Sequence, residues 1–216
     1  MSNTEPAPEW RESRRQTARG AIVDAAWAAV RQEGLAALSL RDLARRAGIT
    51  TPTVYAYFDS KNAIYDAMFG QAAEDFAATL GAPYELVDPR EVLIASVRRF
   101  VEFCTGDLAR YQLLFQRTIP GFEPSPASYA PAVRALEALR ECLALNGITS
   151  DAHLDIWTAL TTGLVDQQIS NDPGGDRWTR LIDDATTMFL AHCQSTQSTQ
   201  PTQTTKPTKR TRKARK

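Results

Sequence analysis

Residues 39–58, SLRDLARRAGITTPTVYAYF, constrain this chain more than any other stretch. Ser39 stands where an N-cap hydroxyl opens a short helix, and Leu40, Leu43, Ala44 and Ala47 give that helix one apolar side. Gly48 then falls where the chain must turn with φ > 0, a conformation that glycine adopts cheaply, and Ile49 plugs the corner. Thr50 offers the cap of a second helix, and Pro52 fits its first turn, where a missing N–H costs nothing. Val54 and Phe58, four apart, turn that helix back onto the first. Thr51, Thr53, Tyr55 and Tyr57 are left on other faces, short or aromatic polar groups of the kind that meet base edges and phosphates. The pattern is a helix-turn-helix. A plain helical hairpin in a core is the alternative. Against it stand the small Ala44 at the crossing and the few apolar positions of the second helix.

With 216 residues, 43% of them hydrophobic and 23% charged, the chain has room for one large or two small domains with a sizeable core. No apolar run reaches the roughly 18–20 residues of a membrane span. The opening MSNTEPAPEW lacks the basic-then-apolar layout of a signal peptide, so a cytoplasmic protein with no membrane partner is expected. Cys104, Cys142 and Cys193 are far apart, with no metal or redox spacing, and read as core thiols. His153 and His192 are isolated, and neither a Gly-rich phosphate loop nor a Ser/His/Asp spacing occurs. The expectation is therefore no catalysis, no metal and no cofactor.

Zero net charge hides an uneven distribution. Residues 1–70 sum to +1, residues 71–205 to −8 and residues 206–216 to +7. A polyanion should be met by the two ends, not by the acidic middle.

Along the chain the pattern predicts an all-α protein of about nine helices. Residues 1–10 are expected to be a disordered N-terminus. A helix from about residue 11 or 14 to 33 carries the stripe Ile22, Ala25, Ala26, Ala29 and Val30, stops at Gly34, and uses Trp27 to cement a three-helix unit ending near residue 60. Arg11, Arg14, Arg15 and Arg19 make its first turns basic, as a solvated face or a phosphate contact. A longer helix over 61–80 buries Ile64, Met68, Phe69, Ala72, Phe76 and Leu80. Pro89 opens the next, and Leu108, Tyr111, Leu114 and Phe115 mark a shorter one. Residues 119–128, with three Pro and one Gly, read as a loop. Residues 129–145 read as a helix with Val133, Leu136, Leu139 and Leu143 inward. Two last helices, over about 151–170 and 178–193, should pair and leave apolar surface for a second copy of the chain. Residues 194–216 are expected to be a disordered tail whose basic end is a solvated charge run or a nonspecific phosphate arm.

From about residue 19 to 69 the chain resembles the DNA-binding domain of TetR-family transcriptional regulators. The likeness rests on Gly34, Leu38-Ser39-Leu40-Arg41, Ala44, Ala47-Gly48-Ile49, and Tyr55-Ala56-Tyr57-Phe58 followed by Lys61, with Trp27 where the family usually has Phe. It implies a DNA-binding domain over 11–60 and a helical ligand-binding and dimerisation domain over 61–193. It also implies that Thr51, Pro52, Thr53 and Tyr57 face the groove, with Arg41 reaching in, while Ser39, Thr50, Tyr55 and Lys61 hold phosphates. A dimeric repressor on palindromic double-stranded DNA is expected, joined through the last two helices and released by a small effector. An activator of the same fold and a nonspecific architectural DNA protein are the alternatives. Phe100, Phe103, Tyr111, Phe115, Phe122 and Trp157 are the aromatic residues that would line an effector pocket or else form plain core.

Overall fold

An apolar stripe on the first helix organises the N-terminal unit. In the computed structural model, which describes residues 8–198, α1 spans Pro8–Glu33 and buries Ile22, Val23, Ala26, Trp27, Ala29 and Val30. Residues 8–10, expected to be disordered, are already helical, because Pro8 at the first helical position forgoes no hydrogen bond. Residues 1–7 lie outside the described residues. Gly34, at φ 82°, sets its N–H on the Val30 carbonyl at 2.8 Å. A 3-10 turn, Leu35–Ala37, then drops Leu35 and Leu38 into the core. Helices α2 (Leu40–Arg46) and α3 (Thr51–Tyr55) complete the unit with Leu43, Ala44, Val54 and Phe58.

Helix α4 (Lys61–Gly81) belongs to both halves of the molecule. Ser60 caps it by accepting from the Ala63 N–H at 3.1 Å. Its first turns bury Ile64, Tyr65, Met68 and Phe69 against α1–α3, and Phe76 lies farther along it, against Phe100, Phe103 and Phe115. The rest is α5 (Pro89–Gly106), α6 (Leu108–Phe115), α7 (Pro126–Leu145), α8 (Asp151–Asn171), a 3-10 turn Thr179–Leu181 and α9 (Ile182–Ser198). Among the described residues there are nine α-helices and no strand. Helix α5 is central and touches α4, α6, α7, α8 and α9. None of the described helices is long and apolar enough to cross a membrane.

The most extensive pairing is α4 on α7. A Cβ at Gly70 would come within 3.1 Å of Ser128 Oγ, so the two helices approach closely there. Asp66 of α4 accepts from the Ser125 N–H (2.6 Å), Ser125 Oγ (2.9 Å) and Ser128 Oγ (2.9 Å). This corrects the loop expected over 119–128. Ser125 caps α7 and Pro126 opens it, so a proline counted as a breaker is a helix start. The inward face of α7 is also corrected. Val133 and Leu136 are 46% and 39% exposed, whereas Pro131, Ala135, Cys142 and Leu143 are buried.

At the far end α9 continues to Ser198, five residues past the expected stop and into the segment expected to be disordered. Residues 199–216, with the basic tail, lie outside the described residues. All three cysteines are free and buried, and burial pushes each thiol up, as expected of core thiols.

Candidate nucleic-acid interface

The turn between α2 and α3 is closed by backbone alone. Gly48, at φ 67°, donates to the Arg45 carbonyl at 3.3 Å, and Ile49 donates to Ala44 at 2.9 Å. This pair of reverse bonds is the Schellman arrangement, which satisfies carbonyls at a helix end. Arg46 fastens α2 to the end of α1 through Gln32 (2.8 Å) and Glu33 (2.5 Å), and also binds Asp42. The Arg46 guanidinium first, and Arg45 after it, hold the Asp42 carboxyl below the usual aspartate range.

With Val54 and Phe58 buried, α3 projects its other side outward. Pro52 and Tyr55 are exposed, Tyr55 by 51%, and Thr51 is half-buried. The Thr50 hydroxyl accepts from the Thr53 N–H at 3.3 Å and pairs with the Thr53 hydroxyl at 2.8 Å. One hydroxyl thus caps the helix and also orients Thr53. Tyr57 is half-buried, with its ring against the N-terminal core. Its carbonyl accepts from Arg19, whose guanidinium also covers the Phe58 ring at 4.2 Å. Arg19, counted in sequence among the basic residues near a phosphate path, therefore clips the end of α3 to α1.

Ser39 occupies the N-cap of α2, but its hydroxyl makes no capping bond and stays exposed. Arg41, two residues on in the first turn of α2, is exposed. Lys61 opens α4, donates to the Ala36 carbonyl at 3.2 Å, and lies 5.5 Å from the Tyr65 ring centroid. Ser39, Arg41, Thr50, Thr51, Pro52, Thr53, Tyr55, Tyr57 and Lys61 thus lie on α2, α3, the adjoining turns and the first residue of α4.

A second feature is a cavity of about 240 Å³ among α4, α5, α6, α7 and α8. Phe100, Phe115 and Trp157, three of the six aromatic residues named from sequence, line it. Three other expected residues do not. Phe103 packs behind the wall on Phe76, with centroids 5.0 Å apart. Phe122 lies in the α6–α7 connection against Tyr65 at 5.8 Å. Tyr111 is buried and donates to Asp166 at 2.6 Å; burial first, then that carboxylate, pushes its phenol up. The wall also takes Phe69 and Phe76 from α4, Tyr84, and Thr158, Thr161 and Thr162 from α8. Sequence reasoning missed these, since a helical period marks a residue as inward without saying whether anything faces it.

Residues 22–68 match the family model described as bacterial regulatory proteins, tetR family. The HTH-type transcriptional regulator Rv1816 of Mycobacterium tuberculosis is 26% identical over 181 residues, covering 77% of this chain and 75% of that protein. Residues 22–68 are thus a DNA-binding domain of the tetR-family type. The HTH-type transcriptional activator FasR of Mycolicibacterium smegmatis is 27% identical over 154 residues, 70% of this chain and 68% of that protein. A tetR-family transcriptional regulator from Streptomyces coelicolor shares the fold, with a TM-score of 0.65 at 18% identity over 84% of this chain and 83% of that one. Within that domain, α2–turn–α3 is the helix-turn-helix.

Polar links join the DNA-binding unit to the rest. Trp27 Nε1 donates to Gln71 at 2.7 Å, tying α1 to α4. Arg31 donates to Asp107 at 2.7 Å, and Asp107 also caps α6. Arg110 reaches Asp75 of α4 at 2.8 Å.

Proposed function

We propose that this protein is a cytoplasmic dimeric repressor that holds a palindromic operator in double-stranded DNA and leaves it when a small apolar or aromatic molecule fills the cavity. One observation carries the reading. A single helix, α4, puts Phe69 and Phe76 on the cavity wall and Ile64, Tyr65 and Met68 in the core behind α2 and α3. A guest pressing on α4 therefore moves the DNA-binding unit, and it acts through its differential affinity for the two positions. Thr51, Pro52, Thr53 and Tyr57 read the groove together with Arg41, while Ser39, Thr50, Tyr55 and Lys61 set register on phosphates. Dimerisation through α8 and α9 is supported by Ile156 and Met188, apolar yet 45% and 72% exposed. Two copies would present their α3 helices to grooves about 34–36 Å apart.

The likeness to FasR of M. smegmatis, a transcriptional activator, supports an activator as the second reading. Selection of bound oligonucleotides from a random pool tests the first. An inverted repeat bound by two chains is expected, and its release by an apolar guest completes the case. Enrichment of a lone half-site by one chain would remove the dimer. No enrichment at all would leave a nonspecific architectural protein.

A further inference from the structure

The cavity wall describes its own guest. A cavity of about 150 Å³ lined by apolar side chains accepts benzene. At about 240 Å³ this one has room for two fused rings, or for one ring with a short chain. Its wall favours rings, since Phe76, Phe100 and Phe115 already meet edge to face with centroids 5.2 to 6.0 Å apart. No Asp, Glu, Lys, Arg or His lines it among the described residues. Arg99 stacks on Tyr84 at 3.8 Å beside it, but its guanidinium is spent on the carbonyls of Ala82 (2.5 Å) and Pro83 (2.9 Å).

The polar atoms on the wall are biased too. Ser96 Oγ donates to Leu93 at 2.8 Å, Thr161 Oγ1 to Trp157 at 2.9 Å, and Tyr84 Oη to Leu80 at 3.5 Å. With those protons committed to carbonyls near them in the chain, the oxygens offer lone pairs to a guest. Thr158, Thr162 and Tyr129 add hydroxyls that donate or accept, and Trp157, which also lines the wall, carries the one indole N–H, so acceptor oxygens outnumber obligate donors.

We infer that the cavity takes an uncharged aromatic molecule of one or two rings that carries a single hydroxyl or N–H donor. Its effect on DNA rests on the repressor reading above; its binding does not. An ion entering this cavity would shed its water and meet no opposite charge.

The test is calorimetry on the full chain with four probes: 2-naphthol, naphthalene, 2-naphthoate and (2-naphthylmethyl)ammonium. 2-Naphthol is expected to bind one per chain, at least about 30-fold tighter than either ion and about tenfold tighter than naphthalene. Thr161→Val should bring 2-naphthol down towards naphthalene. Ala138→Leu, or Ala132→Leu should the first not fold, fills the cavity and should abolish binding. The inference is overturned if either ion binds as well as 2-naphthol, if no probe binds, or if both filling variants bind unchanged. 2-Naphthol that binds without releasing the selected operator sinks the repressor reading and leaves this one standing. An ion that binds and releases it does the reverse.

Discussion

Asp66→Ala is expected to loosen α7 from α4 and to cost about 2–4 kcal/mol. The figure follows from what the carboxylate holds. Its shortest bond, 2.6 Å, is from the Ser125 backbone N–H, a donor that cannot turn elsewhere at a helix start. Losing a charged acceptor for such a donor costs about 1.5–3 kcal/mol. The Ser125 and Ser128 hydroxyls, at 2.9 Å each, rotate to other partners and add little. The carboxylate also faces the first turn of α7, where a negative charge against the helix dipole is worth about 0.3–1 kcal/mol. For a domain of this size the total corresponds to a fall in melting temperature of roughly 4–16 °C. Urea unfolding followed by circular dichroism at neutral pH measures it, with the midpoint moving and the slope constant. Asp66→Asn keeps one acceptor oxygen and should lose about half as much. A loss under about 0.5 kcal/mol for Asp66→Ala, or equal losses for both variants, would refute the claim that this carboxylate docks α7.

Three further outcomes are expected. Lys61→Ala should weaken binding to all DNA alike and lower the salt slope by about 1, whereas Thr53→Ala should relax preference at a few bases worth about 1–3 kcal/mol each. Binding assays on selected and random duplexes decide, and equal losses on both for Thr53→Ala contradict the base-reading role. Burial pushes the Tyr65 phenol up to about 12, so its stabilisation is complete below the ordinary value of 10.0 and is lost as pH rises between the two. Tyr65→Phe should strand the Leu35 carbonyl at a cost of about 1 kcal/mol and flatten that alkaline decline, both read from unfolding curves. Asp42, held low, stabilises the fold above its ordinary value of 3.8, and this is lost as pH falls through the lowered value. In Arg46→Ala the Asp42 carboxyl midpoint, followed by NMR, should climb towards 3.8; an unmoved midpoint contradicts the assignment.

The helix-turn-helix was legible in sequence because everything that makes it is local. Gly48 needs a positive φ, Thr50 reaches three residues forward, and Val54 and Phe58 share a face at helical spacing. The start of α7 was not legible for the opposite reason. Ser125 and Pro126 have the composition of a loop, and part of what fixes them as a helix start is Asp66, 59 residues earlier. Likewise Ser39 sits at an N-cap as expected, yet its hydroxyl forms no cap, which depends on a rotamer and not on position. Arg19, one of the basic residues near a phosphate path in sequence, donates to the Tyr57 backbone carbonyl, a pairing across 38 residues that sequence does not display.

The cavity is a harder case, and it returns to the same docking contact. Helical spacing directs Val133 and Leu136 of α7 inward, but the helix is turned so that Val133 stands outside, while Ala132, Ala135 and Ala138 join Leu136 and Leu139 on the cavity wall with Phe76, Phe100 and Phe115. Methyl groups at three of the α7 positions on the wall leave space that larger side chains would have filled, since interiors otherwise close to crystal-like density. The cavity is thus a consequence of how α7 is rotated about its axis. Asp66 bound to Ser125 and Ser128, and the close approach of Gly70 to Ser128, both bear on that rotation. Aromatic residues alone therefore do not mark a pocket. Small residues facing them do, and which small residues face them is decided by contacts on another helix.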